Sequence, residues 1–115
     1  MADYIQISTT VEQKKDAEAI ARELLDKRLA ACVQIVGPLT SHYWWNNTID
    51  RADEYLCLIK SRRDLYPEVE AAIKKNHPYE VPEIIATPIV AGARDYMAWL
   101  DAELCSPDKS TQEKG

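Results

Sequence analysis

His77, Tyr79, Glu80 and Glu83 stand together in the stretch Lys75-Asn76-His77-Pro78-Tyr79-Glu80-Val81-Pro82-Glu83-Ile84. An imidazole, a phenol and carboxylates at this spacing can bind a cation, exchange a proton or orient a polar ligand. The two prolines decide how the groups are held. Pro78 disfavours helical geometry at His77 and cannot continue a hydrogen-bond ladder. Pro82 then stiffens an extended bridge into the apolar run Ile84-Ile85-Ala86. Rigid loops between regular elements are where binding chemistry concentrates. The plainer reading is that both prolines only stop a helix and start an edge strand.

Other groups invite the same weighing. Neutral imidazole binds borderline and soft metals, which makes His77 a candidate ligand, with Glu83 as its carboxylate partner. His77 equally suits the C-terminus of a helix, bonded to a carbonyl. Lys60 closes an apolar strand, where it can reach Glu54, Glu83 or an anionic ligand, or simply meet solvent. Tyr79, Trp99, Lys60 and Glu83 together would make a ligand pocket at a subunit boundary. A structural Lys60–Glu83 pair is the competing account. Tyr43, Trp44 and Trp45 fit an interface between copies. Cys32 and Cys57 read as small buried hydrophobes, whereas Cys105 reads as exposed and oxidisable.

The 115 residues form one domain, read as 1–105 with a flexible tail over 106–115 that lacks apolar residues. Apolar residues at 46% and charged residues at 29% describe a soluble globular chain. A net charge of −5 repels phosphate backbones, so nucleic acid is not an expected partner. No apolar run reaches the ~20 residues that span a bilayer. Met1-Ala2-Asp3 leads straight into a strand pattern with no targeting signal, so cytoplasm is the expected location. Three cysteines cannot all pair within one chain, which suits reduced thiols, and none has metal-knuckle spacing. With three glycines there is no phosphate-binding loop, and no nucleophile motif is visible, so an enzyme is not expected.

Periodicity supplies the elements. Residues 4–8 alternate as a strand, and Thr10 with Gln13 forms a capping-box candidate. The helix that follows carries Ala17, Ile20, Ala21, Leu24 and Leu25 on one stripe and ends near Lys27 or Arg28. Residues 32–60 read as one long hairpin, bent at Gly37-Pro38 and turned at Asn46-Asn47. Ser61 or Asp64 caps a second helix with the stripe Leu65, Val69, Ala72 and Ile73. Ile84–Val90 is the last strand. Residues 93–104 form a third helix, with Tyr96, Leu100 and Leu104 four apart.

The order is β-α-β-β-α-β-α. Without the last helix it is the α+β ferredoxin-like arrangement, an antiparallel sheet with two helices on one face. Tyr55, Cys57 and Ile59 point to one face of the third strand, and Leu56 and Leu58 to the other. A sheet apolar on both sides needs another layer, which predicts self-association. The alternative is that the third helix folds over the second face.

Five segments in this order carry a resemblance: Leu29-Ala30-Ala31-Cys32-Val33, Ser41-His42-Tyr43-Trp44-Trp45, Glu54 through Lys60, His77 through Ile84, and Tyr96-Met97-Ala98-Trp99-Leu100. Together they resemble the CutA family of divalent-cation tolerance proteins, over about residues 4–104. The resemblance implies a ferredoxin-like homotrimer shaped like the PII signalling proteins, linked to copper and other divalent metals, without established catalysis. Its alternative is a PII-like sensor with an unidentified small ligand between subunits. Ser8 falls where the family's proposed cysteine ligand stands, and Asn76-His77 where its tandem histidines stand. Thiolate suits Cu(I) far better than a hydroxyl, so the metal site implied here is weak. Asn46-Asn47 replaces the family's turn glycine, and asparagine can adopt the same geometry.

Overall fold

The computed structural model describes residues 3–106. The tail expected over 106–115 lies, apart from Ser106, outside the described residues. Strands β1 (Tyr4–Val11), β2 (Cys32–Trp45), β3 (Thr48–Arg62) and β4 (Ile85–Pro88) form one sheet in the order β2-β3-β1-β4. Every ladder is antiparallel. Helices α1 (Lys14–Asp26) and α2 (Tyr66–Asn76) and the C-terminal α3 (Arg94–Glu103) complete the ferredoxin-like α+β order expected from periodicity.

The core lies between one sheet face and the α1/α2 pair. Ile5, Ile7, Cys57 and Ile59 from the strands meet Ile20, Leu24, Val69 and Ile73 from the helices, all buried. Burying each large aliphatic side chain contributes about 1.5–3 kcal/mol, so this layer dominates the stability. The α1 stripe is narrower than periodicity suggests, because Leu25 is exposed. Helix α1 ends at Asp26. Arg28 takes a left-handed φ of 58°. Its N–H bonds the Leu25 carbonyl and that of Leu29 bonds the Leu24 carbonyl, a Schellman closure with arginine where glycine is usual.

Both expected caps are corrected. Thr10 caps nothing, because β1 continues to Val11 while it pairs with β3, and the N-cap of α1 is Gln13. Ser61 and Asp64 do not cap α2. Ser61 Oγ donates to the Leu29 carbonyl at 2.6 Å, and Asp64 accepts from Arg62. A single 3-10 turn over Arg63–Leu65 feeds α2 instead, and Pro67 stands in its first turn. Strand β4 covers less than Ile84–Val90, because Pro88 offers no ladder donor and ends the strand.

Gly37 and Pro38 interrupt the β2–β3 register between Val36 and Leu39, and Asn46 and Asn47 turn the hairpin with φ of 51° and 64°. Two left-handed residues match the right-handed strand twist. Strand β1 pairs with β3 only over 55–62, so the hairpin beyond Glu54 is a two-stranded ribbon.

Helix α3 covers part of the second sheet face. Tyr4 and Arg62 are cross-strand partners, and both bond Asp101 of α3, at 2.9 and 3.0 Å. Arg62 also donates to Asp64 and to the Cys105 carbonyl, at 2.8 and 2.7 Å. At the other end of that face Leu56 and Leu58 stay half-buried, while Val36 and Ile85 are 48% and 55% exposed. Within one chain the third helix therefore does not close the face.

Candidate functional site

Helix α2 ends at Asn76, where Pro78 forces His77 into extended geometry with ψ of 133°. The bridge then runs past the end of β1 and the root of the ribbon. His77 fastens it there. Its Nε2 lies 2.9 Å from the Thr10 carbonyl, and its Nδ1 accepts the Tyr79 backbone N–H at 3.2 Å. A carbonyl can only accept, so Nε2 carries the proton and the ring is neutral. Burial, opposed by the bond to Thr10, lowers the pKa of His77. Tyr79 packs against the imidazole with ring centroids 4.8 Å apart. Its hydroxyl donates to Glu54 Oε2 at 2.7 Å. Burial first, and then this carboxylate, push the phenol well above the usual tyrosine range, so it stays a proton donor.

The bridge and the ribbon root enclose an open cleft of about 660 Å³. Tyr43, Trp44, Trp45 and Tyr79 supply aromatic surface, and Glu12, Asp50, Glu54, Glu80 and Glu83 supply carboxylates. Among the described residues that line it, His42 is the one titratable nitrogen group; His77, Lys60 and every arginine stand outside the lining. The volume falls within the usual range of small-ligand sites.

The structure separates the residues expected to share a pocket. Tyr79 and Glu83 line the cleft, whereas Lys60 and Trp99 do not. Lys60 is level with Gln6 and Thr87 in the sheet, and Glu83 precedes Ile85, which is level with Ser8. Those levels are two residues, about 7 Å, apart along the strand, and Glu83 stands two residues further away on the bridge. Lys60 Nζ instead donates to Gln34 Oε1 at 2.6 Å, and among the described residues it forms no ion pair with Glu83 or Glu54. Trp99 sits on α3 beside Tyr96, with ring centroids 5.5 Å apart. A pocket uniting all four residues does not form within one chain, and neither does the structural Lys60–Glu83 pair.

The donor set does not fit a tight metal site. His77 has no free lone pair while it holds Thr10 and Tyr79. Asn76, where a second histidine would stand, spends its Nδ2 on Glu23 and on the Ala72 carbonyl, each at 2.9 Å. Ser8 lies in β1 between Leu58 and Ile85. Among the described residues no three His, Cys, Asp or Glu side chains gather closely enough to hold one ion.

Among the described residues Cys32, Cys57 and Cys105 form no disulfide. Cys57 is fully buried, which pushes its thiol up to about 11 and leaves it inert. Cys105 is also buried, against expectation, because the chain after α3 turns inward and its N–H bonds the Arg28 carbonyl at 3.0 Å.

Sequence reasoning weighed Glu54 as a partner of Lys60 rather than of Tyr79 in the cleft, and passed over Arg62 as the clasp of α3. Glu54 carried a signal, since it opens the apolar run Tyr55–Ile59 and stands beside the bulge. Arg62 carried none, because its partners lie on elements far away in sequence.

Residues 5–103 match the family model described as CutA1 divalent ion tolerance protein. A divalent-cation tolerance protein CutA from Thermus thermophilus is 44% identical over 91 residues, 79% of this chain and 88% of that protein. The crystal structure of CutA1 from Oryza sativa has a TM-score of 0.88 at 36% identity, covering 90% of this chain and 95% of that one. A structure titled as the periplasmic divalent cation tolerance protein CutA from Archaeoglobus fulgidus has a TM-score of 0.83 at 37% identity, covering 90% and 98%.

Proposed function

The chain belongs to the CutA1 divalent ion tolerance family, and from that premise we propose that it is a non-catalytic homotrimer that responds to divalent metal ions through weak binding. The observation that supports the metal reading is the carboxylate-lined cleft, to which the rigid bridge contributes Glu80 and Glu83. Carboxylate oxygens spread around an open cleft hold a hard or borderline cation loosely. His77 contributes only when its bonds to Thr10 and Tyr79 open, which costs affinity. Copper or another divalent cation is then bound at micromolar strength or weaker, on the order of −8 kcal/mol or less in magnitude.

Trimer formation covers the part of the second sheet face that α3 leaves open. Tyr43, Trp44 and Trp45, exposed on the ribbon, pack against a neighbour. Three thiols that form no disulfide among the described residues suit the cytoplasm. Among the described residues no helix is long and apolar enough to cross a membrane.

Isothermal titration with Cu²⁺ tests the metal reading. Wild type should bind weakly, Glu83→Gln more weakly still, and His77→Ala should alter the affinity. Affinity indifferent to both substitutions removes these residues from the site.

A further inference from the structure

We propose that α3 is an electrostatically latched strap, which opens from the sheet as a unit and unmasks the Cys105 thiol while the rest of the fold stays closed. The first observation is how little apolar burial holds the helix. Leu100 is the one buried residue among its ten, followed by Leu104 just beyond its end. By contrast α1 buries Ala17, Ile20 and Leu24, and α2 buries Val69, Ala72 and Ile73. The segment 89–93 before α3 belongs to no helix or strand, so irregular chain tethers the helix to β4.

The second observation is the polar latch. Asp101 accepts from the Tyr4 hydroxyl at 2.9 Å and from Arg62 Nη1 at 3.0 Å, and Arg28 Nη1 donates to Glu103 Oε1 at 2.7 Å. The Asp101 and Glu103 side chains are 49% and 41% exposed, so salt screens both ion pairs. The apolar layer under α1 and α2 has no such weakness. The latch also shields one thiol. Cys105 is buried, with its N–H bonded to the Arg28 carbonyl at 3.0 Å and its carbonyl accepting Arg62 Nη2 at 2.7 Å. Arg28 and Arg62 thus hold both α3 and the cysteine after it, and one opening frees both. Cys57 lies in the core under α1 and α2, outside the strap.

The inference concerns a motion of the fold and does not rest on the metal reading. The test is hydrogen exchange and iodoacetamide labelling of the full chain in its solution assembly, at low salt and at roughly 1 M sodium chloride. Salt should speed exchange over 94–103 about fivefold, leave α1 and α2 unchanged, and speed Cys105 alkylation by the same factor while Cys57 stays unlabelled. Asp101→Asn should speed both readouts about tenfold at low salt. Glu70→Gln, which removes the Lys74 pair on α2, should leave α3 at the wild-type rate. The salt comparison on wild type needs no variant to fold. Exchange in α3 no faster than in α1 and α2, rates indifferent to salt and to Asp101→Asn, or Cys105 labelling that does not follow α3 exchange overturns the proposal.

Discussion

His77 shows how one side chain can fasten a bridge in place through both of its ring nitrogens. Its neutral ring donates from Nε2 and accepts at Nδ1, so a second proton has no place without breaking the bond from Tyr79. Burial lowers its pKa in the folded chain. The unfolded chain therefore takes up the proton first as pH falls. The stability from this group is complete above the unfolded value of about 6.5 and is lost as pH drops through the lower folded value. Thermal melts of wild type and His77→Gln should diverge in slope below about pH 6.5, with the wild type losing stability faster. Parallel curves would show that the ring is not the buried neutral group described. His77 and Tyr79 were identifiable as site residues from the prolines around them. The partners Thr10 and Glu54 were not, because pairing across the sheet brings them there.

Among the elements, the hairpin bend and the clasp on α3 carry the arrangement. Gly37 has φ of +151°, and a Cβ there would stand 2.9 Å from both the Glu54 carbonyl and a Tyr55 ring atom. Gly37→Ala should cost about 1–3 kcal/mol, read by chemical denaturation, and should disturb Glu54 at the cleft. The clasp is Arg62, 8% exposed and bonded to Asp64, Asp101 and the Cys105 carbonyl. Arg62→Ala should destabilise by about 3 kcal/mol and raise hydrogen exchange over 94–105. If exchange in α3 stays at the wild-type rate, Leu100 and the Tyr4–Asp101 bond hold the helix without Arg62. The bend was legible from Gly37-Pro38, and the two-residue turn from Asn46-Asn47. The clasp was not, since Arg62 meets Asp101 and Cys105 from 39 and 43 positions away in the sequence.

The whole molecule spans 44 × 35 × 23 Å, with the ribbon projecting from a core that covers one sheet face. Val36, Leu56, Leu58 and Ile85 leave an apolar surface on the other face beside the cleft. Sedimentation equilibrium should give about three times 13.1 kDa. Leu58→Asp and Trp45→Asp should each shift the protein toward monomer, because each places a charge in a contact emptied of water. A monomer as the main wild-type species, or variants that assemble unchanged, would sink the trimer.

Local patterning determined the element order, the ferredoxin-like class and the two apolar faces of β3. Alternation and helical spacing are properties of short stretches, so a single sequence displays them. The resemblance of residues 77–84 and four other segments determined the family in the same way. The position of α1's start could not be read locally, because pairing with β3 extends β1 through Thr10 and outcompetes the capping box. Separation of Lys60 and Trp99 from Tyr79 and Glu83 also lay beyond local reading, since it depends on sheet register and on where α3 docks. The buried Glu54, bonded to Tyr79, is of the same kind: burial and pairing belong to the assembled fold, where the bridge, the ribbon and β1 meet.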